Sequence, residues 1–588
     1  MLHLTIIYAK DRGIRPGEDI TRALYGMLDS SENDVTYLFE PGDYFFSPIP
    51  ELERDYRISN SDVMPFRKLG ILIKEKKNLT LDFSGARLWF SGHMQPFTLD
   101  RCENVTVRNC VIDWKKPLVA EGIVTAFTDT YIDMKVDGHL FPHRMKDNWL
   151  EFDTGNDEWY PLTKWSQIQF DGQTRTVRRA SGDKFQPTKI EPLGDDVYRF
   201  YAARTETAVG NIFVLRHNDR IHAGIFCEKC RNTVIEDVTV YSCGGLGCLS
   251  QFCENLTYRR VHFIPNTAAG RKISNGRDDG MHITCCSGRV TITECTFAGL
   301  MDDPINVHSC CVTACKVLDD HTLQCKYRHP QACGFHYWAE AGDTIVFIER
   351  KHMSPVGKAV ASSYTLSDDD YMTFTLSFDA PLPAELLALA ADPEALALDN
   401  LSHTAEFVCE KNRFGSCRAR GILVSTPKAV RIRENYFASS GSAILVAGDS
   451  NYWFESGACH DVEISRNVFS DVCLTSEYQF GEGVISVCPV VPEPLPEKPF
   501  HSNITIRDNV FDTADTPVLY AFSTEGLTFA GNRIFKSPAA EKWHPGSARI
   551  RLSYCSHVLI RDNDWIGSFG ISGLDAGHCT DVFCADKL

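Results

Sequence analysis

Asn503-Ile504-Thr505-Ile506-Arg507-Asp508-Asn509-Val510-Phe511 sets the pattern from which the fold follows. A turn residue opens it, apolar and polar residues then alternate, and a polar pair leads into a second short apolar run. Alternation of this kind belongs to a strand with one buried face, and the polar break to a corner between two strands. The pattern recurs upstream as Asn78-Leu-Thr-Leu-Asp-Phe, Asn104-Val-Thr-Val-Arg-Asn-Cys-Val-Ile, Asn232-Thr-Val-Ile-Glu-Asp-Val-Thr-Val and Asn255-Leu-Thr-Tyr-Arg-Arg-Val-His-Phe. It continues from Arg289, Ala429 and Asp461, and downstream from Gly526 and His557.

Asn78 and Asn104 are 26 positions apart, while Asn232 and Asn255, and Asn503 and Gly526, are each 23 apart. A period in the low twenties, with two short strands and a turn residue per copy, describes the coils of a parallel β-helix. One coil cannot bury its own apolar face, so coils must stack, about 4.8 Å apart as in any sheet. Asn78, Asn104, Asn255 and Asn503 also match the Asn-x-Thr glycosylation pattern. All four fall at the same point of the repeat, so they are read as coil corners.

The repeat lapses over 126–213 and again over 311–409, where strands alternate without the corner motif. The second lapse contains a helical piece expected at Pro383 to Leu398. Both are read as inserted β-rich subdomains. The expected division is 1–125 for the N-terminal cap and first coils, 214–310 for the central coils, and 410–588 for the C-terminal coils. Within the cap, Ile20, Ala23, Leu24, Met27 and Leu28 form one face of a helix over Pro16–Asp29, and Val35 to Phe46 reads as strand, turn, strand.

The chain has 588 residues, 43% of them hydrophobic and 23% charged, with a net charge of −17. Its length exceeds one ordinary compact domain. The acidic balance argues against nucleic acid or an anionic membrane as partner, both of which call for a basic surface. Of 23 cysteines, only Cys227 and Cys230 have metal-like spacing. A lone CxxC lacks the four ligands of a structural zinc site, so the thiols are read as buried small hydrophobes and no metal is expected. Many unpaired thiols point to a reducing compartment. Met1 to Ala9 is apolar without a basic leader and reads as a first strand. No apolar run approaches the ~20 residues of a membrane-spanning helix. The expected location is cytoplasmic, or exported with a leader that this chain lacks.

Chemistry concentrates between Asn275 and Ser309. Two Asp pairs occur there in similar settings, Arg277-Asp278-Asp279-Gly280-Met281 and Met301-Asp302-Asp303-Pro304-Ile305. Asp279 and Asp302 are 23 positions apart, one coil, so the two turns should stack. Carboxylates gathered this closely shift one another's pKa values, leaving one protonated and another ionised near neutral pH. Glycosidic cleavage needs that pairing: an acid for the leaving oxygen and a base for water. Taken singly, each Asp also fits a turn residue bonded to local backbone. His282, Asn306 and His308 follow on the same strands, with His282 and Asn306 on similar faces.

RDDGMHI at 277–283 and MDDPINVH at 301–308 resemble the matching segments of glycoside hydrolase family 110, the bacterial α-1,3-galactosidases. So do IIYAKDRGIRPGEDITRAL and LFEPGDYFF near the start, VIDWKKP at 111–117, RARGILVST at 418–426 and WFESG at 453–457. The resemblance spans nearly the whole chain. It implies a right-handed parallel β-helix with β-rich insertions, and inverting hydrolysis of terminal α-1,3-linked galactose without a cofactor. The facing Asp and Asp-Asp also resemble polygalacturonases, which makes Asp302 the general acid and has Asp279 and Asp303 hold and deprotonate water. Nearby residues implied for the sugar are Asp278, Arg418, Arg420, Trp453 as a stacking platform and Glu455 as an acceptor, with His282, Asn306 and His308 alongside. The partner so implied is a glycan ending in α-galactose, with a homo-oligomer allowed. The first motif is not the Asn-Thr-Asp of polygalacturonases and the chain is acidic, which argues against pectin. The competing classes are another β-helix hydrolase and a non-catalytic glycan-binding solenoid.

Overall fold

The computed structural model describes residues 5–588 apart from 62–64, 165–166, 179–184, 204–205, 218, 274, 332–336, 369, 439–440, 471–481, 515, 539–545 and 570–572. Two long sheets run through it, one of 22 and one of 14 strands among the described residues. Successive copies of the repeat pair in parallel. Val35–Leu38 lies on Lys77–Phe90, which lies on Glu103–Trp114, and the stack continues through Arg231–Val240, Glu254–Phe263 and Ser287–Thr293. It ends with His501–Arg507, Thr524–Ala530, Ser556–Arg561 and Thr580–Cys584. This is the parallel β-helix that the repeat predicts.

The corner asparagines explain why the repeat needs them. Asn78, Asn104, Asn232, Asn255 and Asn503 hold φ from 53 to 58°, a left-handed conformation that Asn accepts more readily than most residues. Four of them form an amide ladder: Asn104 Nδ2 donates to Asn78 Oδ1 (2.7 Å), Asn232 to Asn104 (2.8 Å) and Asn255 to Asn232 (3.0 Å). A second ladder lies inside the C-terminal coils, through Asn412, Asn435, Asn467, Asn509, Asn532 and Asn563. Beside it Phe297, Phe414, Phe437, Phe469 and Phe511 stack at centroid spacings of 5.2, 4.5, 5.0 and 4.6 Å. The CxxC cysteine Cys230 belongs to a third lane. The backbone N–H groups of Cys102, Cys230 and Cys253 each donate to the thiol of the next, ending at Cys286. Most thiols of the described cysteines are buried, and all are free.

Neither insertion breaks the stack. Glu103 pairs with Arg231 and Arg289 with Glu406, so coils on either side of each insertion close over it. The first insertion leaves the coil at Val119–Phe127, which pairs antiparallel with the returning Ile212–Arg216 in a six-stranded sheet. The second grows directly from Ile305–Cys310 and closes a six-stranded barrel between Val312 and Asn400. Its helix is shorter than expected, Ala384–Ala390. Pro393 cannot continue a helix, and Leu396–Asn400 pairs instead with Thr344–Glu349 to close the barrel. Near the N-terminus the helix spans Thr21–Asp29, started by Asp19 Oδ1 accepting from the Thr21 N–H (3.0 Å). Among the described residues no helix is long and apolar enough to cross a membrane.

Candidate active site

The strand Met281–Thr284 lies beside Ile305–Cys310, with Met281 on Ile305, His282 on Asn306 and Thr284 on His308. The coil step here is therefore 24 residues, one more than separates Asp279 from Asp302. Backbone bonds just before the strands agree: Gly280 N–H donates to the Asp303 carbonyl (2.9 Å) and Met281 N–H to that of Pro304 (2.8 Å). Asp279 thus stacks on Asp303, and Asp278 on Asp302. The register comes from the ladder that follows the turn, which a count between aspartates does not see. Gly280 is required at this contact, since a Cβ there would lie 2.6 Å from the Pro304 oxygen.

The four carboxylates meet different surroundings. Asp278, expected at the sugar, has no exposed surface. Three guanidinium groups enclose it: Arg277 Nη1 at 2.7 Å, Arg220 Nη2 at 2.8 Å and Arg216 Nη1 at 3.1 Å. Burial alone would raise its pKa, but Arg220, Arg277 and Arg216 together hold it below the usual carboxylate range. It is an ionised anchor for the arginines and is out of reach of a ligand, which corrects its assignment to sugar binding. Asp303 is also buried, held by the Arg420 N–H on Oδ1 and the Arg420 guanidinium on Oδ2, both 2.8 Å. Burial pushes it up to about 8 against the pull of Arg420, with Asp302 and Asp279 adding to the rise. Asp279 is pushed well above the ordinary value by burial and then by Asp302. Asp302 is the most open of the four, its side chain 23% exposed, with Arg418 Nη1 at 3.3 Å and Arg220 Nη2 at 3.6 Å.

Two histidines and a glutamate back this group. His282 Nδ1 lies 2.7 Å from Asp279 Oδ2, and its Nε2 lies 2.8 Å from His308 Nε2. His308 Nδ1 donates to the Ser309 carbonyl (2.8 Å). Burial lowers His282 to about 4 and lowers His308 as well. Glu455 arrives on the short strand Glu455–Ser456, antiparallel to the end of the His308 strand. Its oxygens accept from Asn60 Nδ2 (3.1 Å) and Asn306 Nδ2 (3.4 Å). Burial would raise it, but His308, His282 and the Asn306 amide hold it low. Among the described residues His282, His308 and Glu455 are the group whose ligand atoms lie close enough, within 4.8 Å, to hold a metal ion. The two Nε2 atoms already stand at direct hydrogen-bond distance from each other.

Trp453 sits half-buried on a turn built by Asp449, whose carboxylate accepts from the N–H groups of Asn451, Tyr452 and Trp453. Its ring lies 4.4 Å from that of His329, which the second insertion supplies. Contacts join Asp278 and Asp302 through Arg220, Asp302 to Arg418, Asp303 to Arg420, and Asp279, His282, His308, Glu455 and Asn306 to one another, while Trp453 is placed by its ring contact with His329. The structure adds Asn60, Arg216 and Arg220. Asn60 has φ 50°, takes the Gln331 carbonyl with its N–H (2.6 Å), and gives its own carbonyl to Arg220 (3.1 Å). Arg216 and Arg220 lie where the first insertion rejoins the coils. None of the three belongs to the repeat, so periodicity carries no signal of them.

Models of two domains match the insertions: GLAA-B beta-barrel domain I over residues 120–213 and GLAA-B beta-barrel domain II over 322–388. An α-1,3-galactosidase B of Bacteroides thetaiotaomicron is 38% identical over 572 residues, 95% of this chain and 90% of the relative. One from Phocaeicola vulgatus is 32% identical over 556 residues, covering 90% and 89%. An α-1,3-galactosidase A of Bacteroides fragilis is 30% identical over 514 residues, covering 85% and 82%. Among solved structures, a family 28 exopolygalacturonase of Yersinia enterocolitica aligns at 10% identity and a TM-score of 0.41, over 99% of this chain and 79% of that one. With identity of this extent over nearly the full length, the chain belongs to glycoside hydrolase family 110, the family of the α-1,3-galactosidases.

Proposed function

We propose that this protein hydrolyses terminal α-1,3-linked galactose from glycans, with inversion at the anomeric carbon. The observation that carries the reading is the meeting of Asp279, Asp302 and Asp303 from two adjacent coils, in a chain of this family. Burial and neighbouring carboxylates raise Asp279 and Asp303 above the usual carboxylate range. Asp302, the most exposed, protonates the leaving oxygen. Asp279 and Asp303, stacked on each other, hold the water and take its proton. Arg418 and Glu455 bond the ring hydroxyls, and Trp453 covers the apolar face of the sugar, backed by His329. Asp278 keeps Arg220 in place beside Asp302. The chemistry requires protons and water only.

The test is incubation with Galα1-3Gal and with the blood group B trisaccharide, with released galactose followed by proton NMR. The expected first product is β-galactose, appearing before mutarotation. Release of α-galactose first would defeat inversion. No galactose from either glycan would defeat the reading itself.

A further inference from the structure

Behind Asp279 runs a string of three short contacts that ends on a backbone carbonyl. They are Asp279 Oδ2 to His282 Nδ1 (2.7 Å), His282 Nε2 to His308 Nε2 (2.8 Å), and His308 Nδ1 to the Ser309 oxygen (2.8 Å). All three side chains are buried. Each contact joins heavy atoms at hydrogen-bond distance and so holds one proton between them. A carbonyl oxygen only accepts, which puts the proton of the last contact on His308 Nδ1. Three contacts hold three protons, and two neutral imidazoles account for one each. The third is surplus. It either makes Asp279 a carboxylic acid or makes one ring an imidazolium, and in both placements the string as a whole is uncharged.

We propose that Asp279, His282 and His308 form a closed hydrogen-bonded string that stores one proton against Asp279, with His282 and His308 as positioning residues of the hydrolytic site. The proposal rests on the hydrolase reading above and refines it. Asp279 Oδ2 is committed to the string, so only Oδ1 is free to orient water, and the water's proton passes to Asp303. The step balances. The glycosidic C–O bond breaks, its electron pair leaves on the aglycone oxygen, and that oxygen takes the proton of Asp302. The water oxygen bonds the anomeric carbon and its proton goes to the ionised form of Asp303, whose share grows as pH rises toward about 8. The string keeps its three protons throughout. The charged groups facing it are Arg220, Asp278, Asp302 and Asp303 on the Asp279 side, and Glu455 and Asp399 on the His308 side, with Glu455 Oε1 3.6 Å from His308 Nε2. Burial disfavours an imidazolium at either ring, which favours placing the surplus proton on Asp279.

Neutron diffraction from deuterium-exchanged crystals of the intact protein, without substrate, tests the string independently of any activity on galactosides. The expected result is a deuteron in each of the three contacts, one of them on His308 Nδ1. A contact without a deuteron, or a metal ion between the two Nε2 atoms, would overturn the proposal. The functional arm compares His308→Phe with His308→Gln. Without an acceptor at 308, His282 needs only its own proton to meet Asp279, which becomes an anion. One more negative charge beside Asp303 raises its pKa further, so the limb of the pH–rate profile that it governs should move up by about one unit. A fall in kcat of about tenfold is expected with little change in KM. His308→Gln, whose amide both donates and accepts, should keep that limb near its original position. A folded His308→Phe with that limb unshifted, or a His308→Gln shifted equally, would also overturn it.

Discussion

Two of the columns in which the β-helix stacks like upon like have opposite consequences. In the C-terminal coils Asn435, Asn467, Asn509 and Asn532 lie above one another. In the central coils Asp278 and Asp279 lie above Asp302 and Asp303. An amide donates and accepts, so each asparagine satisfies the next. Asn467 receives nothing charged, yet its Oδ1 takes the Asn435 N–H (3.0 Å) and its Nδ2 reaches the Ile432 carbonyl (2.9 Å) and Asn509 Oδ1 (3.0 Å). A carboxylate only accepts, so the aspartate step is compensated from outside the repeat. Arg216 and Arg220 come from the end of the first insertion, Arg418 and Arg420 from the coil after the second. Among the described residues Asp279 is the one of the four that faces a histidine and has no arginine at hydrogen-bond distance. One lattice of coils thus gives a self-satisfied column at one end and, in the middle, a column held together by imported cations and protons. Proximity of that second kind is costly to a fold and useful to a hydrolase.

Replacing a member of each column separates these roles. Asp302→Asn and Asp303→Asn should each lower kcat on Galα1-3Gal by about 10³-fold or more while circular dichroism stays close to that of the parent. Asn509→Leu should do the reverse. It removes the acceptor for the Asn467 N–H and the donor to the Ile464 carbonyl, at a cost of about 2–4 kcal/mol in urea unfolding, with kcat within about twofold. If Asn509→Leu lost activity without losing stability, the two columns would not differ as described.

Legibility from the sequence follows the same division. The coils are readable because stacking repeats residue types at a near-constant step, and the corner asparagines mark it. The Asp pairs are readable because they sit in equivalent turns of two copies. The exact pairing is not, because the 24-residue step includes turn residues that no pattern counts, and it moved Asp279 from Asp302 onto Asp303. The compensating groups are equally hidden. Arg220 and Asn60 are ordinary loop residues in sequence, and only the return of the first insertion and the fold of the N-terminal segment bring them to Asp278 and Glu455. Asp278 read as a sugar contact because its burial under three guanidinium groups is a tertiary property.

Two smaller effects sharpen the contrast. Asp303 carries a folded-state pKa of about 8, above its unfolded value, so the folded protein holds a proton that the unfolded chain loses as pH rises. Stability from this group is complete below the ordinary carboxylate value and is lost as pH climbs toward about 8. Asp303→Asn removes that loss, so its melting temperature relative to the parent should rise between pH 5 and about 8. A difference that stayed flat or fell would mean Asp303 is ionised throughout, with Arg420 outweighing burial. Trp453→Ala should raise KM about threefold to tenfold and leave kcat nearly unchanged, as expected for a platform that binds ground and transition states alike.

The most direct measurement is a crystal structure of Asp302→Asn with intact Galα1-3Gal bound. The expected complex has the side chain of residue 302 at hydrogen-bond distance from the glycosidic oxygen. A water should sit between Asp279 and Asp303, in line behind the anomeric carbon on the face opposite the leaving group. A galactose seated elsewhere, or no water held by that stacked pair, would contradict the assignment of the aspartate column as the hydrolytic site.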